Sequence, residues 1–501
     1  MMKEIPNFKY PYSQRNVVAI RHENVDGIDL ILWSKSLDNY FYVDDAKILE
    51  DVKKVIIRKR EGFKNIYFEI DSFLKEDLTK MGFDGEMIEF NNPIKGRLSS
   101  PLESYFDYNT NCNLDCCYCY NRKGEYDISR GYKIQEQMSI DNIKLILNTL
   151  RENGVMRNHL AGGKPTINLN HLRVYLETSK ELGLNQSIVT NGTLLGNDKK
   201  GKEACEIIMY NDLISATISV EGNDEKDFIK ARGKDNWSIV INGTKNLIKH
   251  RNGSKARTAV QWRKVWDHDS SILEIERIIK KGLEIGLDAI QFHCPERSLY
   301  HPSKHYGKII DEYYDVSRKI RELQQKYEEQ ILIWNVWNPV LGCEEIGIPR
   351  MYGCVGAQEL IAIHPTGGLS PCLMNHEYLG NLFIDWDGNL GNFWKESNLL
   401  SKFQGFTSEP DPHCIECQAL DYCRGGSVVR RKVEHGGHTN KIKTEIPILE
   451  VIVSKPLWVG KRDPFCPKDY CKENKVSMKK MIFPTTLKTS AFKTIVVAHS
   501  L

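Results

Sequence analysis

Residues 109–121 read Asn109-Thr110-Asn111-Cys112-Asn113-Leu114-Asp115-Cys116-Cys117-Tyr118-Cys119-Tyr120-Asn121, and the spacing of Cys112, Cys116 and Cys119 decides how the rest of the chain is read. All three thiols fall on one short loop. The chain holds 14 Cys in 501 residues, and a chance match to three fixed Cys positions is expected on the order of 0.01 times. A [4Fe-4S] cluster usually takes four protein thiolates, so a compact three-thiol loop leaves one iron open to another molecule. Zinc is the alternative, but structural zinc sites take four ligands, commonly in two short pairs. No fourth Cys or His follows nearby, and Cys117 reads as a bystander thiol.

Around this loop the pattern is one of alternating strands and helices. Strands are predicted at 104–110, 155–160, 186–190, 214–220, 257–262 and 288–293, with helices near 139–153, 169–182, 202–210, 238–250, 271–285 and 303–328. Such βα units form a parallel sheet; six of them make a partial (β/α)6 TIM-like barrel over residues 101–336. Ligands of parallel α/β folds sit at the carboxyl ends of the strands, and the Cys triplet follows the first strand. Residues 1–100 hold no Cys and read as a small mixed α+β module. Its predicted elements are two strands within 29–43, a helix at 46–60, a strand at 65–70 and a helix at 73–81.

The triplet, with an aromatic residue before its last Cys, resembles the signature of the radical S-adenosylmethionine (SAM) superfamily. That resemblance implies a [4Fe-4S] cluster whose open iron is chelated by SAM, and reductive cleavage of SAM to a 5′-deoxyadenosyl radical. Ala161-Gly162-Gly163-Lys164-Pro165-Thr166 resembles the family's Gly-Gly-Glu-Pro segment, which holds the SAM amino group. Lys164 departs from it. A cation cannot accept a hydrogen bond from an ammonium, so Lys164 is expected to turn outward and leave that contact to backbone carbonyls. Thr190-Asn191-Gly192-Thr193 and Ser219-Val220-Glu221-Gly222 resemble strand ends that bind the SAM ribose and carboxylate. Arg232 matches a position where arginine pairs with that carboxylate; a solvated loop arginine is the alternative. Gln261 and His293 are expected to point into the same cavity, His293 serving equally well as a structural histidine.

Beyond residue 340 the cysteines cluster again. Cys354, Gly367 and Cys372, then Cys414, Cys417 and Cys423, then Cys466 and Cys471 resemble the SPASM extension of radical SAM enzymes, as does the segment from Asn381 to Trp394. The resemblance implies one or two auxiliary [4Fe-4S] clusters in a Cys-rich SPASM-like domain over 337–475, followed by a tail at 476–501. Ser427 stands where that pattern has another Cys. By topology, Cys343, Cys354, Cys372 and Cys466 are assigned to a first auxiliary cluster and Cys414, Cys417, Cys423 and Cys471 to a second, with a zinc ribbon the alternative for Cys414 to Cys423.

With 69 basic and 66 acidic side chains, no long-range field favours nucleic acid or an anionic membrane. No apolar run is long enough to span a bilayer, so a cytoplasmic protein is expected. The resemblance implies an enzyme that oxidises a peptide or protein substrate, drawing electrons from a reductant such as flavodoxin or ferredoxin. The favoured outcome is a crosslink in a ribosomally made peptide, with residues 1–100 available for leader recognition. Formylglycine formation in a sulfatase and oxidation of a small alcohol are the enzymatic alternatives. A non-catalytic iron-sulfur electron carrier or zinc scaffold is the rival from another class; it would not cleave SAM.

Overall fold

The computed structural model describes residues 18–25, 28–34, 39–43, 46–65, 70, 75, 88–89, 97–116, 119–120, 137–197, 199–266, 271–293, 308–336, 354–375, 377–417, 425–435, 441–442, 449–450, 459–461, 464, 466 and 493–495. An antiparallel sheet comes first, from β1 (Val18–Val25), β2 (Ile28–Ser34) and β3 (Asn39–Val43), with β4 (Ile88–Glu89) parallel to β1. The helix Ala46–Arg60 follows it, with Val52, Val55 and Ile56 buried at helical spacing. Of the sequence expectations for this region, β1 is an addition. The strand at 65–70 and the helix at 73–81 lie almost wholly outside the described residues.

The second sheet carries the site. Its strands are β5 (Glu103–Phe106), β6 (Arg157–Leu160), β7 (Asn185–Thr190), β8 (Ser215–Ser219), β9 (Ala259–Val265), β10 (Ala289–His293) and β11 (Leu332–Val336), each parallel to the next. The first six are the expected barrel strands. The sheet does not stop with them: β11 adds to one edge, and β12 (Leu360–Ile363) pairs parallel to β5 at the other, followed by antiparallel β13 (Gly368–Ser370) and β14 (Gly380–Asn381). Two remaining short strands, β15 (Lys441–Ile442) and β16 (Leu449–Glu450), pair with each other, and β17 (Lys493–Ile495) pairs with β3, so part of the expected tail is a strand.

Successive strand residues face opposite sides of a sheet, and here the two sides differ in chemistry. Phe106, Leu160, Ile188, Ile218, Trp262, Ile290 and Ile333 join the main hydrophobic core with the helices. The helix Ile140–Glu152 meets it with Ile143, Ile146, Leu147 and Leu150, the spacing of one helical face. Ser139 starts that helix by accepting from the Asn142 N–H. Each large apolar side chain so buried contributes roughly 1.5–3 kcal/mol. The alternate positions, Tyr105, His159, Ser187, Thr217, Gln261 and Gln291, are polar yet buried. They form the inner face of the partial barrel.

The C-terminal part is tied to the barrel by specific bonds. Trp394, fully buried on the helix Leu390–Glu396, donates to Leu98 O at 2.8 Å, and Leu390 N donates to Thr149 Oγ1 at 3.1 Å. Trp394→Ala removes both a packed indole and a buried donor, and is expected to destabilise the protein by about 3–5 kcal/mol, measured as a lower urea midpoint. An unchanged midpoint would show that this contact does not hold the C-terminal part in place.

Candidate active site

The loop that carries the thiols leaves β5 at Asp107. Asp107 N donates to Ile363 O at 2.9 Å and its carboxylate accepts from Asn109 N at 3.1 Å, which turns the chain toward Cys112. Gly162 and Gly163, just beyond β6, pack onto this stretch, Gly163 N donating to Asn109 O at 3.1 Å. Gly162 has φ +93°, a conformation that disfavours any Cβ, and a Cβ there would lie 1.9 Å from Asp107 Oδ1. At Gly163 a Cβ would meet Asn111 O at 2.5 Å. The glycines are therefore required by close approach of turn and loop. Gly162 N also donates to the hydroxyl of Tyr120, beside Cys119, at 3.1 Å.

Lys164 is buried, contrary to its expected outward orientation. Its Nζ donates to Thr193 Oγ1 at 2.8 Å. Thr193 Oγ1 in turn donates to Asn191 Oδ1 at 2.9 Å, and Asn191 Nδ2 reaches Asn113 Oδ1 at 3.0 Å and Cys112 Sγ at 3.6 Å. Lys164 thus ends a polar chain that leads to the first thiol. Burial lowers its pKa to about 8, with the nearby Cys112 acting the other way. Around the same turn, Tyr108 donates to Pro165 O, and Thr166 Oγ1 meets Thr190 Oγ1 at 3.4 Å.

Arg232 and Glu221, both expected beside SAM, pair with each other in this structure. Arg232 lies in the last turn of the helix Glu225–Arg232 and is buried, which excludes the alternative of a solvated loop arginine. It donates through NH2 to Glu221 Oε1 at 2.9 Å and through NH1 to Cys116 Sγ at 3.3 Å. Lys264 Nζ lies 3.5 Å from Glu221 Oε2, which also accepts from Val265 N at 3.3 Å. Glu221 is engaged by two cations, and Arg232 serves a thiol. Burial pushes the Cys116 thiol up while Arg232 pulls it down.

These residues fit an iron-sulfur cluster with SAM on its open iron. Three thiols come from one loop, and Arg232 and Asn191 direct N–H groups at two of the sulfurs, the kind of donor that steadies anionic sulfur ligands. Acceptors for an ammonium are also present where Lys164 offers none. Among the described residues, Asn109 Oδ1 and Thr110 Oγ1 are buried without a hydrogen-bond partner, on the stretch against which Gly163 packs. Asn109 and Thr110 were not picked out as ligand residues in the sequence, because an Asn-Thr pair in a loop carries no signal until its burial is known.

Of the auxiliary cysteines, Cys354, Cys372, Cys414, Cys417 and Cys466 are described, each as a free thiol; Cys343, Cys423 and Cys471 lie outside the described residues, as does Cys117. Among the described residues, no three His, Cys, Asp or Glu side chains close on a single ion. Cys372 packs against the same small cluster, containing Tyr105 and Ala161, as Tyr120 does. The two cysteine regions therefore meet. Ser427, standing in place of the expected Cys, accepts from Arg430 N at 3.4 Å ahead of the helix Val428–His435, the geometry of a serine N-cap. Lys432 of that helix reaches Glu377 at 2.9 Å and Asn375 at 3.1 Å, near Cys372.

The parallel sheet thus carries three thiols after its first barrel strand, a double-glycine turn beyond the second and polar groups at later strand ends. Residues 108–261 match the sequence model of the Radical SAM superfamily, and this part of the chain is a radical SAM domain with the [4Fe-4S] cluster and SAM as its cofactors. A PqqA peptide cyclase from Bradyrhizobium diazoefficiens is 20% identical over 370 residues, 68% of this chain and 84% of that protein. The fold is shared with SuiB of Streptococcus suis. The crystal structure of SuiB bound to S-adenosylmethionine has a TM-score of 0.60 and 18% identity, covering 90% of this chain and 98% of SuiB. The structure of SuiB bound to precursor peptide SuiA has a TM-score of 0.59 and 16% identity, covering 83% and 95%. Among the described residues no helix is long and apolar enough to cross a membrane.

Two predictions come from this geometry. Gly163→Ala must separate the turn from the thiol loop, and a displacement of about 1 Å at a reacting centre costs on the order of 100-fold in rate; SAM cleavage in dithionite is expected to fall by that order. Gly405→Ala, with open space around it, is the control and is expected to leave cleavage unchanged. The second concerns Lys164, whose usual pKa of 10.5 falls to about 8 in the fold. Between those values the unfolded chain holds the proton and the folded one does not. Stability relative to Lys164→Met should therefore rise with pH across that window and stay flat below it; urea midpoints of the two iron-free proteins measure this, and a difference that falls with pH would contradict it.

Proposed function

We propose that this protein cleaves SAM reductively and oxidises a peptide, forming a crosslink in a ribosomally made substrate. The observation that carries the reading is the contact between the thiol loop and the Gly162–Gly163 turn, which brings the sulfurs and a set of orphaned acceptors to one place. When bound, the reduced cluster and SAM supply a 5′-deoxyadenosyl radical able to remove a substrate hydrogen. Cys112, Cys116 and Cys119 hold the cluster, with Arg232 and Asn191 donating to their sulfurs. Asn109 and Thr110 take the SAM ammonium, while Thr190, Asn191 and Ser219 border SAM at the strand ends and Glu221 fixes Arg232 and Lys264 beside it.

The peptide as substrate is supported by the relatives: one is a peptide cyclase and another was crystallised with a precursor peptide. Cys343, Cys354, Cys372 and Cys466 are assigned to a first auxiliary cluster and Cys414, Cys417, Cys423 and Cys471 to a second, in a SPASM-like domain. The packing of Cys372 and Tyr120 on one small cluster supports this, since it gives the substrate electron a short route out. Flavodoxin or ferredoxin is the fitting reductant, residues 1–100 the fitting leader-binding module, and the cytoplasm the fitting compartment.

The experiment is anaerobic reconstitution with candidate precursor peptides, SAM and dithionite, followed by mass spectrometry. Loss of two hydrogens per crosslink is expected, with iron near twelve per chain for three clusters of four. Replacing Cys112, Cys116 and Cys119 together with Ala should abolish deoxyadenosine and leave auxiliary absorbance. Product formed only from a sulfatase Cys or Ser peptide, or only from a small alcohol, would overturn the crosslinking assignment.

A further inference from the structure

The inner face of the barrel holds polar groups that neither the SAM site nor the main core uses. Tyr105 on β5 is 1% exposed, stacks on His159 with ring centroids 4.9 Å apart, and has a hydroxyl without a hydrogen-bond partner among the described residues. Gln261 on β9 is 4% exposed; its Nε2 donates to Thr217 Oγ1 at 2.8 Å, while its Oε1 accepts nothing there. Arg263, two residues on and on the same face, donates through Nε to Gln291 Oε1 at 3.2 Å and has a buried NH2 without a partner. A buried polar group without a partner is destabilising, more so when charged, and a ligand that paired with these three groups would relieve that.

Their chemistry specifies what would satisfy them. The acids near Arg263 are already engaged: Glu221 by Arg232 and Lys264, Glu103 by His159 at 3.1 Å. His293, which meets Gln291 Oε1 at 3.2 Å, is held well below its usual pKa by burial and by Arg263, so it is neutral and Arg263 is the cation of this face. Burial lowers the Arg263 pKa only to about 10, which leaves it cationic at neutral pH. Arg263 on β9 and Tyr105 on β5 both lie on the inner face of the sheet, and each enters the other's charge balance. A planar guanidinium with a free N–H and a phenol O–H match a carboxylate, and the free carbonyl of Gln261 matches an amide N–H. Carboxylate and amide together describe an acidic residue within a peptide.

We infer, building on the peptide-oxidising reading above, that Arg263, Tyr105 and Gln261 form a receptor on the inner barrel face for an aspartate or glutamate of the substrate. Position supports the substrate over SAM as the source of the carboxylate. Tyr105 lies two residues before Asp107 on β5, deeper in the barrel than the glycine turn that packs on Asp107. Tyr105 also shares its hydrophobic cluster with Tyr120 and Cys372, so the Tyr105 end of the receptor lies where the two cysteine regions meet.

The test uses reconstituted, SAM-loaded protein and needs no turnover. N-acetyl-glutamate α-amide and its neutral counterpart, N-acetyl-glutamine α-amide, are titrated by saturation-transfer NMR, with SAM affinity measured in parallel. The acidic probe should bind about tenfold or more tighter than the neutral one. Arg263→Gln should abolish that preference and the milder Tyr105→Phe should reduce it, both leaving SAM affinity within about twofold. Equal binding of the two probes, or a preference that survives both substitutions, would overturn the receptor. A SAM affinity that falls tenfold or more in Arg263→Gln would assign the carboxylate to SAM instead. Failure of every peptide in the turnover assay, with the probe preference intact, would count against the peptide reading while leaving the carboxylate receptor standing.

Discussion

Gly163 lies so near the backbone of Thr110 and Asn111 that no side chain fits between them, and the arrangement of the site follows from that contact. The turn after β6 and the thiol loop after β5 are neighbours because their strands pair in parallel. Parallel pairing alone brings two strand ends only to within about 5 Å; the double glycine closes the remaining gap. Once closed, the turn sets Lys164 against Thr193, Thr193 against Asn191, and Asn191 against Cys112. A single methyl group at residue 163 would disturb every step of that chain.

Charge is arranged around the same contact. Glu221 is buried with Arg232 on one oxygen and Lys264 beside the other, so the region carries more positive than negative charge before any cofactor binds. Isolated buried charge is expensive. A cluster held through Cys116 would supply the negative charge toward which Arg232 already points. On the inner barrel face Arg263 is left in a similar position, and there a substrate carboxylate is the matching counter-charge.

Much of the fold was readable because the strands alternate. Ala289-Ile290-Gln291-Phe292-His293 sets Ile290 and Phe292 two residues apart between polar Gln291 and His293, and the structure puts both in the core on the helix side. β12 was not readable: Leu360-Ile361-Ala362-Ile363 is apolar throughout, and nothing local tells that it pairs with β5 across more than 250 residues of chain. The thiol loop was legible from spacing alone. Lys164 and Arg232 were legible as positions but not as orientations, since burial and hydrogen-bond partners come from elements distant in sequence. Arg232 also sits on a helix of eight residues, too short for periodicity to announce. Ser427 looked like a lost ligand, and the structure shows the helix-capping role that a serine fills and a cysteine does not.

The central claim is that Cys112, Cys116 and Cys119 hold a cluster whose remaining iron takes SAM directly. Electron–nuclear double resonance of the reduced protein tests it, using SAM labelled with nitrogen-15 at the amino group and oxygen-17 at the carboxylate. Strong couplings from both labels, present in the wild type and absent when Cys116 is replaced by Ala, are the predicted result. Labels that show no direct coupling in a protein whose first cluster is fully assembled would contradict the account.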